Sequence, residues 1–124
     1  MAKLVLVIDD DLDVWTTLAL RLKSFGYLMI SAKDGTQGYV KIKELKPDLI
    51  LLDLGFGKGQ EDGLEILKRL KTDASDQIQN IPVIMLTGKE GLEQQCLDAG
   101  ACGYITKPFD LFQLKEILSK HLSK

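Results

Sequence analysis

Four apolar runs in this sequence stop at residues that could do chemistry. LVLVI (Leu4–Ile8) runs into Asp9, Asp10 and Asp11, and LILL is closed by Asp53. PVIML is closed by Thr87, with Gly88 next, and GYIT (Gly103–Thr106) leads into Lys107 and Pro108. Adjacent carboxylates repel: two of them about 4 Å apart cost roughly 4 kcal/mol at an effective dielectric of ~20. A dication between them offsets that cost. Mg2+ takes oxygen ligands and is often held by one or two carboxylates plus waters and phosphate oxygens. Lys107 offers a compact positive charge for a phosphoryl oxygen. Thr87 offers a hydroxyl donor, and Asp53 is a carboxylate of the kind that forms aspartyl phosphates. Each ending alone has a plainer explanation. Asp11 suits the N-cap of a following helix, and Asp13 suits its positive end. The four endings together, in this order, point to metal-assisted phosphoryl chemistry.

For those endings to meet, the strands must lie side by side and parallel, and the intervening segments read as the helices that allow it. LDVWTTLALRLKSFG carries Trp15, Leu18, Ala19, Leu22 and Phe25 at helical spacing and stops at Gly26. A strand over Tyr27–Ser31 and a helix over Thr36–Leu45, closed by Pro47, precede the strand Leu49–Asp53. DGLEILKRLKTD presents Leu64, Leu67 and Leu70; the strand Pro82–Thr87 and the helix GLEQQCLDAG follow. After Gly103–Thr106, Asp110 caps a last helix, with Gln113 as its capping-box partner and Leu111, Leu114, Ile117, Leu118 and Leu122 as its buried stripe. Five strands thus alternate with five helices, which predicts an α/β fold with a parallel sheet covered on both faces. The first and third strands are apolar throughout, as strands buried on both faces should be. In such sheets the ligand crevice lies beyond the carboxyl ends of the strands. GFGKGQEDG (Gly55–Gly63) reads as one long loop.

The bulk properties narrow the function. With 124 residues, the expectation is a single domain over 1–124. The net charge of −2 leaves no basic footprint for nucleic acid. No apolar run approaches the roughly 20 residues needed to span a bilayer. The start, MAKLVLVIDDD, lacks a signal-peptide cleavage site, so a cytoplasmic location is expected. Cys96 and Cys102 fit no zinc or redox spacing and read as reduced thiols. GFGKG fails as a Walker A loop, because Gly59 stands where Ser or Thr belongs and Leu52 where the first glycine belongs. It also fails GxGxxG at Gln60. His121 reads as a cation near a helix C-terminus rather than as a relay histidine.

VIDDD, LILLD, MLTG and YITKPF, in this order within a fivefold βα pattern, resemble the receiver domain of bacterial two-component response regulators. The resemblance runs from Lys3 to about Leu122. It implies a flavodoxin-like, doubly wound five-stranded parallel sheet of order 2-1-3-4-5 with five helices. It implies that Asp53 is the phosphoacceptor and that Asp9 and Asp10 are the acidic pair of a Mg2+ (or Mn2+) site. Gly55 would offer a backbone carbonyl to that metal. Thr87 would be the switch hydroxyl, Gly88 a backbone N–H donor and Lys107 the phosphoryl-binding lysine. Pro108 would follow a cis peptide bond, and Tyr104 would be the aromatic switch residue. The implied partners are a histidine kinase or phosphotransfer protein and a downstream effector domain or protein, with no nucleic acid or membrane bound by this domain. The protein would be a signalling phosphoacceptor rather than an enzyme. It could stand alone or be cut from a longer regulator.

Two features depart from the pattern of that family. Where a proline is usual four residues after the phosphoacceptor, this chain has Gly57, and the matching later glycine is Gly63, so the loop is about two residues longer. A glycine-rich loop of this kind is expected to be mobile. The positions two after Asp53 and two after Thr87, which in the family tune aspartyl-phosphate lifetime, are Gly55 and Lys89. Gly55 also stands where a hydrolase of the haloacid type would carry a second aspartate. The remaining alternative is a receiver-fold interaction module that works without phosphorylation.

Overall fold

The computed structural model describes residues 2–55, 62–88 and 91–122. Among them the order is β1 (Leu4–Ile8), α1 (Leu12–Ser24), β2 (Leu28–Ala32), α2 (Gly35–Leu45), β3 (Leu49–Leu52) and α3 (Gly63–Lys71). There follow α4 (Asp76–Gln79), β4 (Val83–Thr87), α5 (Glu93–Asp98), β5 (Gly103–Thr106) and α6 (Leu111–Leu122). The strands form one sheet in the order β2-β1-β3-β4-β5, and every pairing is parallel. The fold is the expected flavodoxin-like one.

Alternation along each strand divides the core into two layers. Leu6, Ile8, Ile50, Leu52, Val83 and Met85 face α2, α3 and α5, whose Ile42, Ile66, Leu67, Leu70 and Cys96 cover them. Val5, Val7, Leu49, Leu51, Ile84, Leu86 and Ile105 face the other way, onto Leu18 and Leu22 of α1 and Leu114, Leu118 and Leu122 of α6. Burying one such aliphatic side chain contributes about 1.5–3 kcal/mol. Local signals set the helix starts. The Asp11 carboxylate accepts from the Asp13 N–H at 2.9 Å, and Asp62 does the same for Glu65 at 2.9 Å. Asp110 accepts from Phe112 at 2.7 Å and from Gln113 at 3.4 Å. The chain leaves α1 through Gly26 at φ 91, a conformation that L side chains rarely adopt.

The differences from expectation are local. Six helices stand where five were expected, because DASDQIQN forms the single-turn α4. Four residues carry no amphipathic period to read. The turn is held instead by tertiary bonds: the Lys71 ammonium donates to the carbonyls of Gln79 at 3.1 Å and Ile81 at 2.6 Å. Ala19 is exposed, since the buried stripe of α1 narrows to Leu18 and Leu22. Leu111 is 37 % exposed, because it lines an open groove with Val14 and Phe109 instead of joining the buried stripe. The expected mobility of the loop concerns residues 56–61, which lie outside the described residues.

Candidate functional site

The parallel register pairs Ile8 with Leu52, so the next residues, Asp9 and Asp53, emerge side by side from adjacent central strands. The Asp9 N–H donates to Ala32 O at 3.0 Å, and the Asp53 N–H donates to Ile8 O at 2.9 Å. The ladder therefore fixes both backbones to the end of the sheet. Both side chains are buried, Asp9 at 1 % exposure and Asp53 at 8 %. Lys107 reaches them from the end of β5. Its Nζ lies 2.8 Å from Asp9 Oδ2 and 3.5 Å from Asp53 Oδ1. The Lys107 N–H donates to Thr87 O at 2.8 Å, which ties the lysine to the end of β4. The peptide bond that follows, Lys107-Pro108, is cis, as the resemblance implied.

Asp10 is exposed, yet one carboxylate oxygen from each of Asp9, Asp10 and Asp53 lies within 4.8 Å of the others. The donor set is all oxygen, which suits a hard divalent cation such as Mg2+ or Mn2+ rather than a softer metal. Asp9, Asp53 and Thr87 are the buried polar side chains among the described residues, and all three sit at this one edge.

The electrostatics are those of a site short of positive charge. Burial, and then the charge of Asp9, push the Asp53 pKa up to about 6, against the opposing pull of Lys107 and of a hydrogen bond from the Gly55 backbone. Burial works against the Lys107 ammonium, but its hydrogen bond to Asp9 and the charges of Asp53 and Asp9 outweigh this and leave its pKa raised. One ammonium thus neutralises part of a three-carboxylate cluster, and a cation fits what is left over.

The other expected residues fall at the same edge in different ways. Gly55 touches the site through the backbone hydrogen bond to Asp53. Gly88 is exposed, and the space where its Cβ would stand is open. Tyr104 is half-buried, pairs in register with Met85 and packs on the same core layer as Met85. By strand alternation Thr87 shares that face, two residues further along β4. Lys89 lies outside the described residues. Sequence reading gave no role at the site to Trp15, whose indole Nε1–H donates to Asp9 O at 2.7 Å. Gly63 is required sterically, because a Cβ there would overlap the carbonyl of Asp53. The cue for Gly63 was present in its spacing from Asp53. Nothing in the sequence distinguishes the Trp15 bond from ordinary core packing.

Comparison with known proteins gives the same picture. The chain is 38 % identical over 112 residues to the DNA-binding dual master transcriptional regulator RpaA of Synechocystis sp., covering 89 % of this chain and 45 % of that protein. It is 36 % identical over 126 residues to the phosphate regulon transcriptional regulatory protein PhoB of Pseudomonas aeruginosa, covering 97 % of this chain and 53 % of that one. The chain therefore spans about half the length of these curated relatives. Among solved structures it is similar to the receiver domain of sensor histidine kinase PA1611 from Pseudomonas aeruginosa PAO1. That likeness has a TM-score of 0.85 at 26 % identity over 100 % of both chains, and the relative has a magnesium ion coordinated in its active site cleft. No described helix is long and apolar enough to cross a membrane. The family profile for the response regulator receiver domain matches residues 5–119, and the chain belongs to that family of two-component signalling proteins.

Proposed function

We propose that this chain is a single receiver domain that takes a phosphoryl group onto Asp53 from a histidine kinase or phosphotransfer protein and then changes its partner-binding surface. The observation that carries this reading is the Lys107 ammonium, 2.8 Å from Asp9 and 3.5 Å from Asp53, at the edge where Thr87 also ends its strand. An oxygen of the Asp53 carboxylate attacks the donor's phosphorus. The new P–O bond forms as the P–N bond of a phosphohistidine breaks, and the bonding pair leaves with the imidazole, which takes a proton from water. Lys107 holds an equatorial phosphoryl oxygen, and the Thr87 hydroxyl and Gly88 N–H supply further donors. Bound through Asp9, Asp10, Asp53 and the Gly55 carbonyl, Mg2+ or Mn2+ would neutralise charge on the transferring group and lower the Asp53 pKa. The energy is supplied mostly by positioning and fixed charge.

In the phosphorylated state Thr87 turns toward the phosphoryl group and Tyr104 follows on the same face, which biases a two-state surface around β5 toward an effector domain or protein. The role is that of a signalling phosphoacceptor in the cytoplasm. A groove of about 490 Å3 bordered by Val14, Arg21, Phe109 and Leu111 opens beside Lys107.

Intact-mass measurement after incubation with acetyl phosphate tests the transfer. A single phosphoryl group gained with Mg2+, and none with excess chelator, is the expected result. No gain from acetyl phosphate or from a phosphorylated histidine phosphotransfer protein would overturn it in favour of an interaction module. For the switch, amide spectra around Tyr104 should shift on binding beryllium fluoride with Mg2+; unchanged spectra would contradict it.

A further inference from the structure

Trp15 lies outside the set of residues just assigned, yet it holds one of them. Asp9 has a partner at every polar atom: its N–H donates to Ala32 O at 3.0 Å, and its Oδ1 accepts from the Asp11 N–H at 3.0 Å. Its Oδ2 accepts from Lys107 at 2.8 Å, and its carbonyl accepts from the Trp15 indole at 2.7 Å. The first three fix the strand end and the Asp9 carboxylate. The fourth acts on a different group. The Asp9 carbonyl belongs to the Asp9–Asp10 peptide plane, and that rigid plane sets the direction in which Asp10 leaves the sheet. Asp10 is exposed, and the described contacts of its carboxylate are those of the acid cluster alone. Its aim therefore depends on its backbone. Trp15 is itself anchored, half-buried against the core layer of Leu18 and Leu22 one turn into α1.

We infer that Trp15 is a positioning residue for the metal site, acting through the Asp9–Asp10 peptide to aim Asp10 at the cation. The inference rests on the proposal that Asp9, Asp10 and Asp53 hold Mg2+. Without the indole N–H, the peptide plane can rock and Asp10 must be ordered by the metal at the moment of binding, which weakens affinity. A net hydrogen bond of ordinary strength corresponds to about a three- to tenfold loss. Trp15 is also the chain's one tryptophan, so its emission reports on the surroundings of the indole beside Asp9.

The test is Mg2+ titration by calorimetry of wild type, Trp15→Phe, Asp10→Asn and the double variant, with urea midpoints taken in the absence of metal. Replacing Trp15 by β-(3-benzothienyl)alanine, which keeps the bicyclic shape and deletes the N–H, serves if phenylalanine loosens the fold. The expected results are a Kd raised about three- to tenfold by losing the N–H, no further rise when Asp10 is already Asn, and a change in wild-type tryptophan emission with the calorimetric midpoint. Equal Kd values for wild type and the N–H-deleted protein, or losses that simply add in the double variant, would overturn the inference and leave the metal site standing. No saturable Mg2+ binding by wild type would overturn the metal reading, and this inference with it.

Discussion

The two ends of the sheet are made from the same strands and treat polar groups in opposite ways. At the amino end, the Leu4 N–H donates to Asp48 Oδ2 at 2.8 Å, and the Asp48 N–H returns a bond to Leu4 O at 2.8 Å. Lys71 spans two carbonyls there, and Asp48 itself stays exposed. The charges named at that end satisfy backbone groups, Asp48 from the surface and Lys71 from a half-buried position where burial lowers its pKa. At the carboxyl end, Asp9, Asp53 and Thr87 are buried, and Asp53 is held in a state where ionisation is disfavoured up to a pH of about 6. The first arrangement contributes stability. The second gives some up, and the unmet demand for positive charge is what a bound cation can meet.

The contrast can be broken most severely at Asp53. Asp53→Asn should abolish phosphoryl acceptance altogether. It should also raise the urea-unfolding free energy of the metal-free protein at pH 7 by on the order of 1–3 kcal/mol, because the cost of ionising a buried carboxyl disappears. A loss of both function and stability would mean that this end is built for stability as well. Next in size is Lys107→Met, which should slow phosphorylation by acetyl phosphate on the order of 100-fold. Retention of the wild-type rate would remove the lysine from the mechanism.

The pH dependence sharpens the same point. The folded pKa of Asp53 lies above its ordinary value of 3.8, so the native state binds the extra proton and stability falls as pH rises. Below about 4 Asp53 contributes no penalty; the penalty grows up to about 6 and then stays constant. The difference between wild type and Asp53→Asn in chemical denaturation should open across that window, and saturating Mg2+ should close it. A flat difference would mean that Asp53 is not strained in this way. The smallest effect belongs to the amino end. Asp48→Ala should cost about 1 kcal/mol through its lost bond to Leu4 and leave the phosphorylation rate unchanged.

Much of this was legible in the sequence. LVLVI and LILL announced central strands because burial on both faces demands apolar residues at every position. The strand ends named the site because a parallel sheet brings them to one edge. The one-turn α4 was not legible, since four residues have no period and Lys71 holds them from elsewhere in the chain. The Trp15 bond was hidden for a related reason: a tryptophan at helical spacing reads as core, and here it is core on one face and a hydrogen-bond donor at its rim. The strain on Asp53 was visible only as acids gathered at strand ends, because its size depends on burial.

The central claim is that Asp53 receives the phosphoryl group, and trapping the acyl phosphate tests it most directly. The protein is phosphorylated with acetyl phosphate and Mg2+, reduced with borohydride, digested and sequenced by mass spectrometry. The account predicts that position 53 alone is converted from aspartate to homoserine. Conversion at Asp9 or Asp10, or none with either acetyl phosphate or a phosphorylated histidine phosphotransfer protein in a protein shown to be folded and metal-saturated, would contradict it.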